Sequence, residues 1–493
     1  MEAGQDKMRA IVAVFDRKEG CAAEKAVEML KVLKHNGADA FELATPTGID
    51  VKAEPEQLQV QNSRGLTAVG HVFLKVSRQD KPQTAVLEKA AFAFDGRIYQ
   101  PSGFCLAESL FKILGADREE SLETLITRFE GSFAFALAEP ERLVVGRDAL
   151  GLYPLYYGWK DNVFAVASEC KALWKIGVRE AKSFPPGHIL IADDKGLKLR
   201  PVKLLKGFVK PTLAADAVEK LQKLLMQSVV ERTNGIERVA VAFSGGLDSG
   251  LTAFLARKAG LEVHLIHVSL EDQRETVDAE EAASMLDLPF HKYLYDVEDV
   301  EHVLPRVLQC VESPDMVKVS VGLPLYWAAE NAAEIGFKVL FSGQGADELF
   351  GGYRRYLTFY SRYGSSFAEK AMASDVERLY DLSFERDFKI CGFHNVEIRL
   401  PFASPPIFEF ALSLPLNLKV NGESDTLRKA VLRKTAERLG LPRQIVYKPK
   451  RAMQYATGVE KALRKLAGRE NLPLKKYLFK VFQNVFANYF WEE

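Results

Sequence analysis

Cysteine is scarce in this sequence: Cys21, Cys105, Cys170, Cys310 and Cys391 are the only five among 493 residues. They are odd in number and widely spaced, and no Cys-x-x-Cys occurs, so neither a disulfide framework nor a thiolate metal knuckle is implied. That usage fits a reducing compartment, and a cytoplasmic location is expected. No apolar run approaches the ~20 residues a membrane helix needs, and polar Met1 to Lys7 do not read as a targeting segment. Charge of one sign is also missing. Sixty-six basic residues cancel sixty-six acidic ones, which removes the electrostatic reason to expect nucleic acid or an anionic membrane as partner. The lysine-bearing phosphate loop Gly-x4-Gly-Lys-Ser/Thr is absent too. His264 and His267 form His-x-x-His, but inside an apparent strand that interval sends them to opposite faces, so no metal site is expected there.

What is present centres on Val239 to Gly260. Val239 to Phe243 fit a buried strand, Ser244-Gly245-Gly246-Leu247-Asp248-Ser249 a tight turn, and Gly250 to Ala259 a helix that stops at Gly260. The two glycines let backbone approach a ligand, while Ser244, Ser249 and the first helix amides can donate to an anion on the positive end of the helix dipole. Asp248 beside bound phosphates is favourable only with a cation, which implies Mg²⁺. A lysine-free cradle with an aspartate suits holding the pyrophosphate end of ATP and cleavage between its α and β phosphates.

A second glycine turn, Ser342-Gly343-Gln344-Gly345-Ala346-Asp347-Glu348-Leu349-Phe350-Gly351-Gly352-Tyr353, follows the apolar run Val339-Leu340-Phe341. Asp347 can join Asp248 on one magnesium ion, since two carboxylates from separate loops make better sense around a cation than apart. Strands alternating with helices around both motifs predict a parallel, doubly wound sheet with its ligands beyond the strand ends. Here Val263 to Val268 and Lys338 to Phe341 read as strands, and Leu213 to Arg232, Val277 to Leu286 and Pro324 to Ile335 as helices.

Residues 8 to about 205 read instead as one α+β domain of stacked antiparallel sheets. Ala10 to Phe15 is a strand and Ala22 to Lys34 a helix, followed by short strands at Ser132 to Leu137, Leu143 to Val145, Leu155 to Tyr157 and Phe164 to Ala167. Asp95-Gly96 between Ala91–Phe94 and Arg97–Tyr99 is a tight-hairpin signal. Lys195 to Lys210 reads as a linker. In the tail, Leu474 to Trp491 puts nine apolar and aromatic residues at helical spacing, a face for packing on its own core or, second, for a homodimer interface.

Ser-Gly-Gly-Leu-Asp-Ser resembles the PP-loop of the ATP pyrophosphatase superfamily, and the second motif resembles Ser-Gly-Glu-Gly-Ala-Asp-Glu of asparagine synthetases. The stretch Arg147 to Tyr157 with Ala167-Ser168-Glu169 looks like the late part of their glutaminase domain, an N-terminal-nucleophile hydrolase. Ala10 to Phe15 with His35 to Asp39 looks like its beginning. Glu385-Arg386-Asp387 resembles their substrate-domain helices, and Glu397 to Phe402 their Glu-x-Arg-x-Pro-Phe signature. Lys448 to Tyr455 aligns with their catalytic-lysine loop, and its wording is similar to archaeal asparagine synthetase-related proteins and the eukaryotic asparagine synthetase domain-containing protein.

The resemblance implies an α+β N-terminal nucleophile hydrolase-like sandwich over residues 8–205 and an α/β doubly wound PP-loop domain over 206–493. It implies an ATP-dependent amidoligase of the asparagine synthetase type. Ala242, Ser244, Gly245, Gly246, Asp248, Ser249, Val268, Gly343 and Asp347 would bind ATP, with Asp248 and Asp347 on Mg²⁺ and Lys450 steadying phosphates or the tetrahedral intermediate. Gln344 replaces the family's first glutamate, thought to act at amidation, and an amide cannot accept a proton as a carboxylate does. The usual Leu-Asp after the signature is Ala403-Ser404.

The glutaminase half departs further. Arg9 stands where such hydrolases need a cysteine as first mature residue, behind eight others that processing could not usefully remove. Asp95-Gly96 replaces the oxyanion-hole Asn-Gly, and Cys105-Leu106-Ala107-Glu108 replaces Ser-Asp-Thr-Glu. Cys21 reads as ordinary packing. Glutamine hydrolysis is therefore expected to be lost, leaving a carboxylate, aspartate by family default, and ammonia as substrates. The alternatives are amidation or cyclisation of a different carboxylate, or a non-catalytic nucleotide-binding regulator.

Overall fold

The computed structural model describes residues 9–36, 38–59, 65–75, 81, 83–100, 118–207, 214–420, 422, 425–449 and 457–490. Two compact units emerge. The first is Met1–Leu204 with Phe384–Asn395 and Gln483–Glu493, and the second is Leu205–Ser383 with Val396–Phe482. Two segments that a single division at 205/206 would leave in the second domain thus belong to the first unit.

The first unit is a sandwich of a seven-stranded and a six-stranded sheet. In the seven-stranded sheet Ala10–Asp16 runs antiparallel between Thr67–Phe73 and Val163–Ala167. In the other, Ala90–Gln100 and Arg142–Arg147 flank Glu130–Glu139. Strand alternation sorts the side chains. Ile11, Ala13 and Phe15 of one sheet meet Ala91, Ala93, Ala134, Ala136 and Ala138 of the other in a shared core. The opposite face of the six-stranded sheet carries Phe92, Phe94, Phe133 and Phe135, which cluster with Leu122, Leu125 and Ile126 of helix Arg118–Arg128.

Two sequence expectations fail in this unit. Asp95-Gly96 is no hairpin turn: Ala90–Gln100 is one strand, paired through both residues with Glu130–Glu139. Gly96 does adopt positive φ (127°), but a Cβ there would lie 2.0 Å from the Ser132 carbonyl oxygen, so close strand approach requires the glycine. The supposed linker from Lys195 is also shorter, because Gly196–Pro201 is an edge strand paired with His188–Asp193.

Helix Glu385–Phe393 joins the first unit through charge, where a substrate-domain helix was expected. The fully buried Arg147 donates to Glu385 Oε1 at 2.9 Å, to the Phe184 carbonyl at 2.6 Å and to the Gly151 carbonyl at 2.5 Å. Ser183 also donates to Glu385. Phe388 lies edge-on to Tyr153, with ring centroids 5.9 Å apart. The tail folds as Leu474–Val485 and Ala487–Phe490, and Trp174 meets Phe486 and Tyr489 edge-on at 5.1 and 6.3 Å. Those aromatics are used within their own chain.

The second unit holds a five-stranded parallel sheet. The first strand in sequence, Arg238–Ala242, is central, with Glu262–Leu270 and then Phe290–Tyr295 on one side and Val339–Phe341 and then Glu397–Arg399 on the other. The order reverses between Ala242 and Phe341, and such a switch point opens a crevice at the carboxyl ends of the strands. Both glycine turns leave their strands there. Helix Met316–Glu334 begins well before Pro324, the expected start: Asp315 caps it by accepting the Val317 and Lys318 amides at 2.9 Å. Its largely buried interior sequence outweighs the roughly 3 kcal/mol that an internal proline costs.

Arg147→Met would strand the Glu385 carboxylate in the core. Chemical denaturation should show a loss of roughly 3–5 kcal/mol, and a loss below ~1 kcal/mol would refute this role for the pair.

Candidate active site

The cradle takes its shape from serine hydrogen bonds and one glycine conformation. Strand Arg238–Ala242 ends at half-buried Ala242, Phe243 is buried, and helix Leu247–Lys258 starts after Gly246 with no side-chain cap. An uncapped helix start is an anion seat. The Ser249 hydroxyl accepts the Ser244 amide at 3.2 Å and donates to the Gly246 carbonyl at 3.4 Å, so it braces the turn where sequence reading made it a ligand donor. Ser244 is exposed at the rim. Gly245 has φ 68°, and a Cβ there would sit 2.7 Å from Ala279 Cα, so no other residue fits without displacing the neighbouring helix start. Val268 is buried near the end of the adjacent strand.

The second turn closes onto the first. A Cβ on Gly343 would lie 2.9 Å from Asp248 Cβ, so its absence lets the two loops touch. Gly345 (φ 91°) and Gly351 (φ 76°) bracket the short helix Ala346–Phe350. Of its two acidic residues, Glu348 turns into the core, where burial and then the nearby Asp347 charge push its carboxyl up to about 7, and Tyr353 donates to it at 2.5 Å. Asp347 is the one that meets Asp248. Gln344 is half-buried on the same turn.

The carboxylates converge on Lys429, which the sequence reading missed. Its Nζ donates to Asp248 Oδ1 and Oδ2 at 2.7 and 2.6 Å and lies 2.6 Å from Asp347 Oδ1, an ion pair without hydrogen-bond alignment. The Lys429 side chain is 1% exposed and each aspartate 15%. Arg428 and Lys429 both hold left-handed φ, 58° and 57°, a strain of ~1–2 kcal/mol each for residues with a Cβ. Asp425 maintains the turn by accepting the Leu427 and Arg428 amides. Arg433 does so too, donating to the Leu427, Arg428 and Lys448 carbonyls at 2.6, 2.8 and 3.2 Å and also to Val446. The only local trace of this in the sequence is a basic doublet before an amphipathic helix, a pattern solvated faces share.

Lys450 lies outside the described residues, as does Cys105 to Glu108. The flanks of the lysine loop are held near the cradle: Lys448 Nζ is 3.5 Å from Asp278, and the Leu270 amide donates to the Thr457 carbonyl at 3.0 Å. The signature Glu397 to Phe402 lies beside the second turn, whose Ser342 amide donates to the Arg399 carbonyl at 3.3 Å, and it also braces helix Ala214–Thr233. Arg399 donates to Glu397 at 2.7 Å and to the Arg232 and Asn234 carbonyls, while Ser228 and Arg232 donate to the Pro401 and Ala403 carbonyls.

The donor set suits magnesium. Two carboxylates from separate loops already enclose a cationic group, all the side-chain donors are oxygen, and the adjoining helix start favours the phosphates that hard cations accompany.

In the first unit, the residues matching a glutaminase centre form a closed network. Arg9 donates to the Leu74 carbonyl at 2.9 Å. Asp95 is fully buried, accepts the Tyr153 hydroxyl at 2.6 Å, and has Oδ1 3.5 Å from His71 Nε2. The other His71 nitrogen is 3.2 Å from Glu42 Oε1. Burial alone would lower the His71 pKa, but the Asp95 and then Glu42 carboxylates prevail and raise it to about 9.

Two family models match the chain. The asparagine synthase model covers residues 220–379 and 360–484, and the glutamine amidotransferase domain model covers 107–175. A Methanocaldococcus jannaschii protein named as a glutamine-hydrolysing asparagine synthetase is 30% identical over 531 aligned positions, covering 95% of this chain and 97% of its own. The chain belongs to the asparagine synthetase family. Asparagine synthetase 2 of Arabidopsis thaliana, also named glutamine-hydrolysing, is 28% identical over 69% of this chain and 61% of its own. Solved structures align more weakly: a Bacillus subtilis glutamine phosphoribosylpyrophosphate amidotransferase reaches a TM-score of 0.34 at 14% identity over 59% of this chain and 91% of its own, and no argument rests on it. Among the described residues no helix is long and apolar enough to cross a membrane.

A raised folded-state pKa at His71 gives stability that is complete below its unfolded value near 6.5 and is lost as pH rises through about 9. Denaturation of the wild type at pH 7 and pH 10 should differ by on the order of 3 kcal/mol from this group, and His71→Gln should flatten that difference. An unchanged pH dependence in the variant would remove His71 as its source.

Proposed function

We propose that this family member is an ATP-dependent amide ligase that uses ammonia and does not hydrolyse glutamine. The observation that carries the reading is the meeting of Asp248 and Asp347 around one cationic position at the mouth of a glycine cradle. The Ser244–Ser249 turn and the uncapped helix start would seat the pyrophosphate end of ATP, with Ala242, Val268 and Gly343 lining it. Asp248 and Asp347 would hold Mg²⁺, which when bound neutralises charge gathering on the departing pyrophosphate.

An oxygen of the acceptor carboxylate, aspartate by family default, forms a bond to the α phosphorus as the bond to pyrophosphate breaks. Ammonia then bonds to the activated carbonyl carbon, AMP departs, and the attacking nitrogen gives up a proton. Gln344 cannot take that proton, so water or another group receives it. Lys450 would steady the negative charge of the tetrahedral intermediate.

Loss of glutamine hydrolysis is supported by the first unit. Arg9 supplies no thiol, and the Asp95 carboxylate, committed to Tyr153 and facing His71, offers no donor to an oxyanion. A second reading, the same adenylation on a different carboxylate, is favoured by Gln344 and by Ala403-Ser404 in place of Leu-Asp.

Pyrophosphate release should require ATP, Mg²⁺ and aspartate, with asparagine accumulating on addition of ammonium but not glutamine. Asparagine from glutamine would overturn the nitrogen-source assignment. Release with another acid but not aspartate would favour the second reading, and no release with any acid would end the ligase reading.

A further inference from the structure

The ligase reading needs two carboxylates and a cradle, but nothing in it requires a buried lysine between the carboxylates before substrate arrives. Three arrangements converge on that lysine. Its ammonium reaches both aspartates at 2.6–2.7 Å. The Arg428–Lys429 backbone is held in the left-handed region by Asp425 and Arg433. Gly352 makes room as well, since a Cβ there would stand 2.4 Å from Lys429 Cε and 1.9 Å from Asp347 Oδ1.

We infer that Lys429 is the resident counterion of the Asp248–Asp347 pair in the nucleotide-free protein, holding the two loops together and keeping free divalent cations out, so that the metal enters only with the triphosphate. The inference rests on the reading of these aspartates as metal ligands. Charge counting supports the order of events. The pair with its ammonium carries one net negative charge, whereas a divalent ion added beside the ammonium would leave one net positive charge in a poorly solvated crevice, with two cations in close repulsion. A triphosphate arriving with the metal reverses that balance. Its oxygens give the ammonium a new anionic partner, and the carboxylates pass to the metal. Lys429 is thereby a positioning residue for both loops.

Manganese(II), followed by electron paramagnetic resonance of the free aqua ion, tests this on the full chain without nucleotide. Wild type and Asp248→Asn should give superimposable titrations, with no site at the pair. Lys429→Met should gain one site at least about tenfold tighter than any in wild type, and Lys429→Met with Asp248→Asn should lose it. A manganese site in nucleotide-free wild type that Asp248→Asn abolishes would overturn the inference, and that arm holds even if the Lys429 variant fails to fold. Equal affinity in wild type and Lys429→Met would overturn it too. The ligase reading fails separately: if Lys429→Met gains the site but no acid supports pyrophosphate release by wild type, the counterion stands and the reaction falls.

Discussion

Two carboxylates from different loops cannot share a sheltered position without a cation between them, and the synthetase unit is arranged around this constraint. Asp248 starts a helix after the central strand, and Asp347 starts another after the strand beside it. Parallel pairing of those strands brings the loops to one crevice, and the missing side chain of Gly343 lets them touch. The ammonium of Lys429 then makes their proximity favourable. Even the strained Arg428–Lys429 turn serves this charge balance, because a helix start in ordinary conformation would direct that side chain elsewhere.

The first unit shows the same physics in a buried cluster. Its sandwich keeps the layers of a glutamine amidotransferase domain, yet its centre is filled by Glu42, His71, Asp95 and Tyr153, all buried. A histidinium held between two buried carboxylates leaves one net negative charge, which the Tyr153 hydroxyl helps to offset by donating to Asp95. A glutaminase centre needs instead a reachable nucleophile and donors aimed at developing charge. The Arg147–Glu385 pair extends the pattern by binding in a helix from much later in the chain.

Local motifs were readable where chemistry and backbone shape coincide. The tight turn from Ser244 to Ser249 could be read from its residues because serine hydrogen bonds and positive φ at Gly245 are properties of the segment itself. Alternation of strands and helices likewise foretold the parallel sheet and the crevice. Asp95-Gly96 misled for the opposite reason: its local turn preference yielded to strand pairing on both sides and to the buried Tyr153 bond. Pro324 misled as a helix start because the burial of its helix outweighed a backbone penalty.

By itself the sequence determined the two fold classes and the strand-turn-helix shape of the Ser244 to Ser249 segment, since each depends on residue type and short-range periodicity. Tertiary structure alone decided that Lys429 stands between the aspartates, that Ser249 braces the turn, that Glu385 belongs with Arg147, and that His71 is enclosed by carboxylates. Those outcomes depend on burial and on contacts between residues tens to hundreds of positions apart. Whether a charged side chain is solvated or enclosed is set by what the rest of the chain places around it, and no local pattern carries that information.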